Sequence, residues 1–227
     1  MKNYPEQATE RFDNANFHIN YCLYFIKKFV GQTVLEIGAG CGSFSKYYIK
    51  DRNKIVMTEL DKKNLRDLKN KFRKNKNVVV KKGTINKINS KFDSILYLHV
   101  LEHIKDHMSE LNEAKKRLNR NGHLIIMVPS DPKMYSKLDK AVGHYRRYEK
   151  SFFKKDLKGL KRQKIMSLDI MGYWLYFLNK IFFKEEVFPS NFKIFIWDKI
   201  FTPFTVIMDF LTNYKFGKCI LAVYKKE

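Results

Sequence analysis

Cysteine is scarce in this sequence, acids are outnumbered, and no apolar run is long enough to cross a bilayer. The three cysteines, Cys22, Cys41 and Cys219, are odd in number and share no C-x-x-C or metal-ligand spacing. That excludes a disulfide framework and reads as free thiols of a reducing compartment. Residues 1–20 contain Glu6, Glu10 and Asp13 and no apolar stretch, so they do not read as a signal peptide. The longest apolar stretch, Ile200 to Leu211, is broken by Thr202, Pro203, Thr205 and Asp209. It falls short of the about 20 apolar residues that a membrane span takes. The expected location is the cytoplasm, with attachment to the inner face of a membrane as the alternative.

Against 23 Asp and Glu stand 45 Lys and Arg, a formal net charge of +22. Such a surplus raises a nucleic-acid partner as a candidate. Yet only 9 of those 45 are arginine, the residue preferred where phosphate is gripped in bidentate fashion. The densest part, Lys62 to Lys82, falls on an expected outer helix and its loop. The charge therefore reads as a bias spread over solvated faces. An anionic small molecule or a membrane surface suits it better than nucleic acid. At 227 residues, 44% of them hydrophobic, the chain suits one domain with an adequate core, or a domain plus an appendage.

Val34 to Ile37 reads as a short buried strand, followed by glycines at 38, 40 and 42, with a helix expected from Ser43 onward. A glycine turn between strand and helix lets backbone N–H groups approach a ligand closely. The dinucleotide fingerprint G-x-G-x-x-G/A is not met, because Ser43 takes its last position. Instead the acidic Glu36 precedes the glycines. A carboxylate there repels a pyrophosphate but not an ammonium or a sulfonium.

This E-x-G-x-G-x-G run resembles the first motif of the class I S-adenosylmethionine-dependent methyltransferases. The resemblance implies that Glu36 lies near the cofactor's amino group and that Gly38, Ala39, Gly40 and Gly42 pass under its methionine part. Lys54 to Thr58 is a second strand ending at Glu59, 17 residues after Gly42, the length of one crossover helix plus turns. A carboxylate at that strand end can accept from both ribose hydroxyls. Glu59 matches the family's second motif, and Leu60 would lie against the adenine. Asp61 is the rival and reads instead as the cap of a helix over Lys62 to Lys74.

Val78 to Lys82 is a third strand, leading into Gly83, Thr84 and Ile85, where relatives often place an aspartate on the adenine amino group; Thr84 departs from that pattern. Phe92 to Leu98 is a fourth strand, ending in His99-Val100-Leu101-Glu102-His103-Ile104. The V-L-E-H-I run resembles the ubiquinone-type O-methyltransferase group and brings Leu98, His99 and Val100 to the cofactor. Glu102 and His103 read either as a carboxylate-oriented general base or as loop structure. His107 reads as exposed. A helix over Met108 to Leu118 stops at Gly122, and His123 to Val128 is a fifth strand.

The segment G-H-Y-R-R-Y, residues 143–148, resembles a subset of these methyltransferases associated with glycan and lipid-linked pathways. His144 is then a second candidate base, and Tyr145, Arg146 and Arg147 candidates for holding the acceptor. In an extended segment neighbours point opposite ways, so at most one arginine faces the pocket. The alternative is that the arginines pair with Asp139 or Glu149 to hold a lid.

A helix is expected over Ser151 to Leu160 and a sixth strand over Lys164 to Ile170. Fifteen aromatic residues then fall between Tyr173 and Phe216, interleaved with lysines. That segment reads first as a lid or homodimer surface, and next as a peripheral membrane contact. A helix over Asn3 to Phe29 and a last strand over Lys218 to Lys226 complete the outline.

The expected fold is a doubly wound α/β, Rossmann-like sheet of seven strands within one domain, 1–227. It comprises an N-terminal helical cap (1–30), a cofactor core (31–171), a helical aromatic insert (172–216) and a final strand (217–227). The resemblance implies S-adenosyl-L-methionine as cofactor, S-adenosyl-L-homocysteine as product, and a small-molecule acceptor. No metal is expected, since the carboxylates do not cluster. No Asn-Pro-Pro-Tyr or Asp-Pro-Pro-Tyr run follows the fourth strand, which turns the expectation from amino groups toward O-methylation of a sugar or small anionic acceptor. The alternatives are a lipid-linked or quinone-like acceptor, and a non-catalytic or RNA-binding subunit of the same fold.

Overall fold

The computed structural model describes residue 12 and residues 14–154, 157, 159–182 and 188–227. A helix, α1 (Asn16–Ile26), precedes the sheet; the expected extension back to Asn3 lies largely outside the described residues. The strands are β1 (Thr33–Ile37), β2 (Lys54–Glu59), β3 (Val78–Lys82), β4 (Phe92–Leu98), β5 (Leu118–Pro129), β6 (Leu160–Leu168) and β7 (Cys219–Lys226). They form one sheet in the order β3-β2-β1-β4-β5-β7-β6, with β7 antiparallel to both its neighbours. The order reverses between β1 and β4, which opens a crevice at the carboxyl ends of those strands.

Alternation along the central strands supplies two cores. Val34, Leu96 and Met127 face one, with Ile19, Cys22 and Ile26 of α1; Leu35, Ile95, Tyr97 and Ile126 face the other. The helices α2 (Lys62–Phe72) and α3 (His107–Lys116) cover the sheet. Asp61 accepts from the Asn64 amide and caps α2, as its position implied.

Two expected helices are absent. After the glycine turn there is only one 3-10 turn, Ser45–Tyr47. The cause is local: the hydroxyls of Ser45 and Tyr48, three apart, both donate to the buried Glu36 carboxylate. Residues three apart eclipse in 3-10 geometry, whereas an α-helix would splay them. Over 151–160 the chain makes a 3-10 turn at Lys150–Phe153 and enters β6 at Leu160, earlier than expected. Leu157 bridges Leu160 around Gly159, whose φ is +76°.

A short helix, α4 (Lys137–Ala141), follows β5. Between β6 and β7 lie α5 (Ile170–Phe182), α6 (Asn191–Ile196) and α7 (Thr202–Leu211), the last two joined by a π turn over Trp197–Phe201. Pro203 sits in the first turn of α7, where its missing N–H is tolerated, and the wider turn precedes it. No helix among the described residues is long and apolar enough to cross a membrane.

Candidate active site

A cavity of about 1280 Å³ opens over the carboxyl ends of β1, β2 and β4, with the insert as its far wall. Ligand pockets commonly hold about 300–1,000 Å³, so this one has room for a cofactor and a second molecule. Glu36, Gly38, Ala39, Gly40, Glu59, Leu60, Gly83, Thr84, Leu98, His99 and Val100 all line it, as do His103, His144 and Arg147.

The glycines divide the work of the turn. Gly38, Gly40 and Gly42 all have positive φ, +64°, +57° and +76°. A Cβ at Gly42 would stand 2.5 Å from the Phe72 ring, so this glycine lets the loop pack on α2, and it does not line the cavity. A Cβ at Gly40 would meet nothing within 4 Å: its outer side is open space for a ligand. The Gly40 amide donates to Glu59 Oε2 at 2.8 Å, while Oε1 accepts from the amides of Leu60 and Asp61 at 2.6 and 2.8 Å. A carboxylate has about four acceptor sites. Three are taken by backbone, which fixes the group and leaves a lone pair for a ribose hydroxyl. Glu36 is buried beneath the loop, and burial pushes its carboxyl up to about 7 against the hydrogen bonds from Ser45 and Tyr48. Open space at Gly40, an anchored acceptor at Glu59 and an acid under the turn fit an aminoacyl nucleoside. Ile85 does not line this space; it is wholly buried in the core beneath.

Beyond β4, His99 takes φ +58° and turns its ring into the cavity. Enclosure there, together with the nearby cations of His18 and Lys218, lowers its pKa to about 3, so it is neutral. Glu102 is 1% exposed, and neither carboxylate oxygen has a hydrogen-bond partner. Burial pushes it up to about 7, opposed by the charge of His144. It does not orient His103. Its Oε1 lies 3.8 Å from His99 Nδ1 and 3.9 Å from His144 Nε2. His103 instead packs its ring edge-on against His144 at 4.5 Å, with its pKa lowered to about 3 by burial and then by His144.

His144 is held by a relay that sequence reasoning only half found. Its Nδ1 lies 2.6 Å from Asp139 Oδ1. Asp139 closes a capping box on Ser136 at the start of α4 and takes Arg147 Nε and Nη2 at 2.9 Å each. Burial would raise the Asp139 carboxyl, but the bonds from His144 and Arg147 outweigh it and hold it far below the ordinary range. Arg147 also lies over the Tyr176 ring at 4.6 Å, tying the relay to α5. The two arginines point opposite ways. Arg146 leaves the cavity to donate to the carbonyls of Ile104 and Lys105, and Tyr145 is 57% exposed. His107 is half-buried against Tyr148, with Nδ1 2.7 Å from its hydroxyl.

One wall residue carried no sequence signal. Lys218, just ahead of β7, sets its ammonium over Trp197 at 4.4 Å and Phe12 at 5.7 Å. Burial lowers its pKa, and the nearby Asp169 opposes this.

The region that builds this crevice matches a known family: residues 35–124 match the Methyltransferase domain. Together with the fold, that match supports a class I S-adenosylmethionine-dependent methyltransferase, with S-adenosylmethionine as the cofactor. Solved structures share the architecture at low identity. A chain of the complex between the Haloferax volcanii Trm112 methyltransferase activator and a methyltransferase aligns with a TM-score of 0.67 and 10% identity, over 96% of this chain and 92% of that one. The N-methyltransferase NodS from Bradyrhizobium japonicum WM9, bound to S-adenosyl-L-homocysteine, gives 0.64 and 13%, over 99% and 95%. Coclaurine N-methyltransferase, bound to N-methylheliamine and S-adenosyl-L-homocysteine, gives 0.60 and 16%, over 98% and 75%. No curated protein sequence matches the chain.

Proposed function

We propose that this chain transfers a methyl group from S-adenosylmethionine to a hydroxyl of a small anionic acceptor, with His144 taking the proton. The cofactor supplies the electrophilic methyl and the thioether leaving group; the protein positions the acceptor and manages its proton. The observation that carries the reading is the 2.6 Å contact of His144 Nδ1 with Asp139. A carboxylate accepting from Nδ1–H leaves the Nε2 lone pair facing the cavity, the tautomer a general base needs. Gly38, Gly40 and Glu59 hold the cofactor in this reading, and Glu36 lies toward its amino group. Arg147, spent on Asp139, is a positioning residue. Lys218 is the cation left to meet an anionic group of the acceptor: among the described residues its ammonium has ring contacts and no carboxylate within 4.0 Å.

The test is methyl transfer from labelled S-adenosylmethionine to a panel of hydroxy acids, sugar phosphates and amines. Expected are O-methylated anionic products, lost by roughly a hundredfold or more in His144→Ala while S-adenosylhomocysteine binding is kept. Transfer to amines only, or full turnover by His144→Ala, would refute the reading.

A further inference from the structure

The helix α7 is built inside out. Its inward positions are polar: Thr202, Thr205 and Asp209 are each at most 1% exposed. Asp209 accepts from Tyr21 Oη at 2.7 Å and from the amides of Asp169 and Ile170 at 2.7 and 2.9 Å. Thr205 donates to Asp169 Oδ1, and Thr202 to the Trp197 carbonyl. The outward positions are Phe204, Val206, Ile207, Met208, Phe210 and Leu211, between 39% and 70% exposed. A surface helix normally turns its apolar stripe to the core and its polar face to water. Here hydrogen bonds seat the helix, and the apolar side is left facing out.

The surroundings extend the face. Of the twenty exposed large hydrophobic side chains, thirteen lie between Trp174 and Phe216, and Tyr24 of the adjoining α1 is 77% exposed. Contiguous apolar surface of this kind marks a place where water is displaced. Charge narrows what displaces it. In the described residues from 170 to 216 the acids are Asp198 and Asp209, both buried, whereas Lys193 and Lys215 are exposed, as are Lys27 and Lys28 at the end of α1. A second copy of a chain with net charge +22 would bring a like-charged surface against this one. An anionic bilayer satisfies both features: headgroups meet the lysines, and the upper acyl layer receives the aromatic and aliphatic side chains.

We propose that α7 and its flanks form a docking face for anionic lipid membranes, seating the protein in the interface without spanning it. The face does not depend on the acceptor reading. It does place the cavity's far wall, which includes Leu175, Phe192 and Phe201, next to the lipid.

The experiment is flotation of the full chain with vesicles of phosphatidylcholine alone and of phosphatidylcholine and phosphatidylglycerol in equal parts. Expected is flotation with the anionic vesicles, weakened by salt, and little with phosphatidylcholine alone. The triple variant Phe204→Ser, Ile207→Ser, Leu211→Ser should bind the anionic vesicles at least roughly tenfold more weakly, since each side chain removes part of a buried apolar surface. Lys193→Glu with Lys215→Glu should act on the anionic vesicles only. S-adenosylhomocysteine binding, measured by calorimetry, should survive both sets and so reports that the variants are folded. Absent flotation, or equal flotation by the triple variant, overturns the proposal. A wild-type dimer in solution that the triple variant converts to monomer also overturns it, by showing a second copy as the occupant.

Discussion

Glu59→Gln isolates the contribution of one carboxylate to cofactor binding. The substitution keeps length and shape but replaces one oxygen with an NH2 group. One remaining oxygen can still accept from Leu60 and Asp61. The new amide then faces the Gly40 N–H, donor against donor, where Oε2 accepted at 2.8 Å. The ribose loses a charged acceptor at the same time. Hydrogen bonds to charged groups are worth roughly 1.5–3 kcal/mol each. Losing one on the ribose and part of the loop's anchoring should cost about 2–4 kcal/mol of affinity, roughly thirty- to a thousandfold. Calorimetry with S-adenosylhomocysteine measures this without turnover. The 2′-deoxy analogue closes a cycle: its penalty with the wild type should largely vanish with Glu59→Gln, because both remove the same contact. Unchanged affinity, or two penalties that simply add, would take Glu59 away from the ribose.

Cofactor affinity should rise with pH through about 7, where the buried Glu36 ionises. Only the carboxylate attracts an ammonium, so binding of S-adenosylhomocysteine should gain up to about tenfold per pH unit below 7 and level off above it, and Glu36→Gln should flatten the profile. The same raised pKa makes the ligand-free fold hold a proton that the unfolded chain releases near 4.5, so this group's contribution to stability falls as pH rises from 4.5 to about 7. The glycines should separate by readout. Gly42→Ala, with its Cβ 2.5 Å from Phe72 and φ +76°, should cost roughly 2–4 kcal/mol in a urea melt. Gly40→Ala, with φ +57° and open space, should cost only about 1 kcal/mol there while lowering S-adenosylhomocysteine affinity. The reverse order would place the cofactor elsewhere.

Features carried by short-range pattern were legible in the sequence. Strand alternation located the seven strands, and the positions of Glu36, the glycines and Glu59 followed from one strand–turn–strand spacing. Opposite orientation of neighbours anticipated that Arg146 and Arg147 would part company. What escaped depends on groups distant in sequence. Asp139 reads locally as a cap residue, and it is one; its hold on His144 and Arg147 exists only once 139–147 folds back on itself. Glu102 is adjacent to His103 in sequence, yet the turn at Leu101–His103 aims it at His99 and His144. Ile85 follows two cavity residues but points the other way, into the core. Periodicity revealed that α7 has two faces but not which one turns inward, because buried Asp169 and Tyr21 make the polar face the better fit.

The insert leaves and re-enters the sheet at one place. Leu168 and Cys219 are partners across β6 and β7, and the Lys218 amide donates to the Asp169 carbonyl at 3.0 Å. Everything from 170 to 217 is thus an excursion closed at its base by a pair of adjacent strands. The entropy of closing such an excursion grows only slowly with its length. Shortening, lengthening or exchanging it asks little of the seven strands, which keep their registers whatever the excursion contains. The wall facing the acceptor and the face turned outward are therefore a cassette, replaceable as one piece. Grafting the corresponding excursion between two such strands of another scaffold is a direct route to changing what it accepts and where it works.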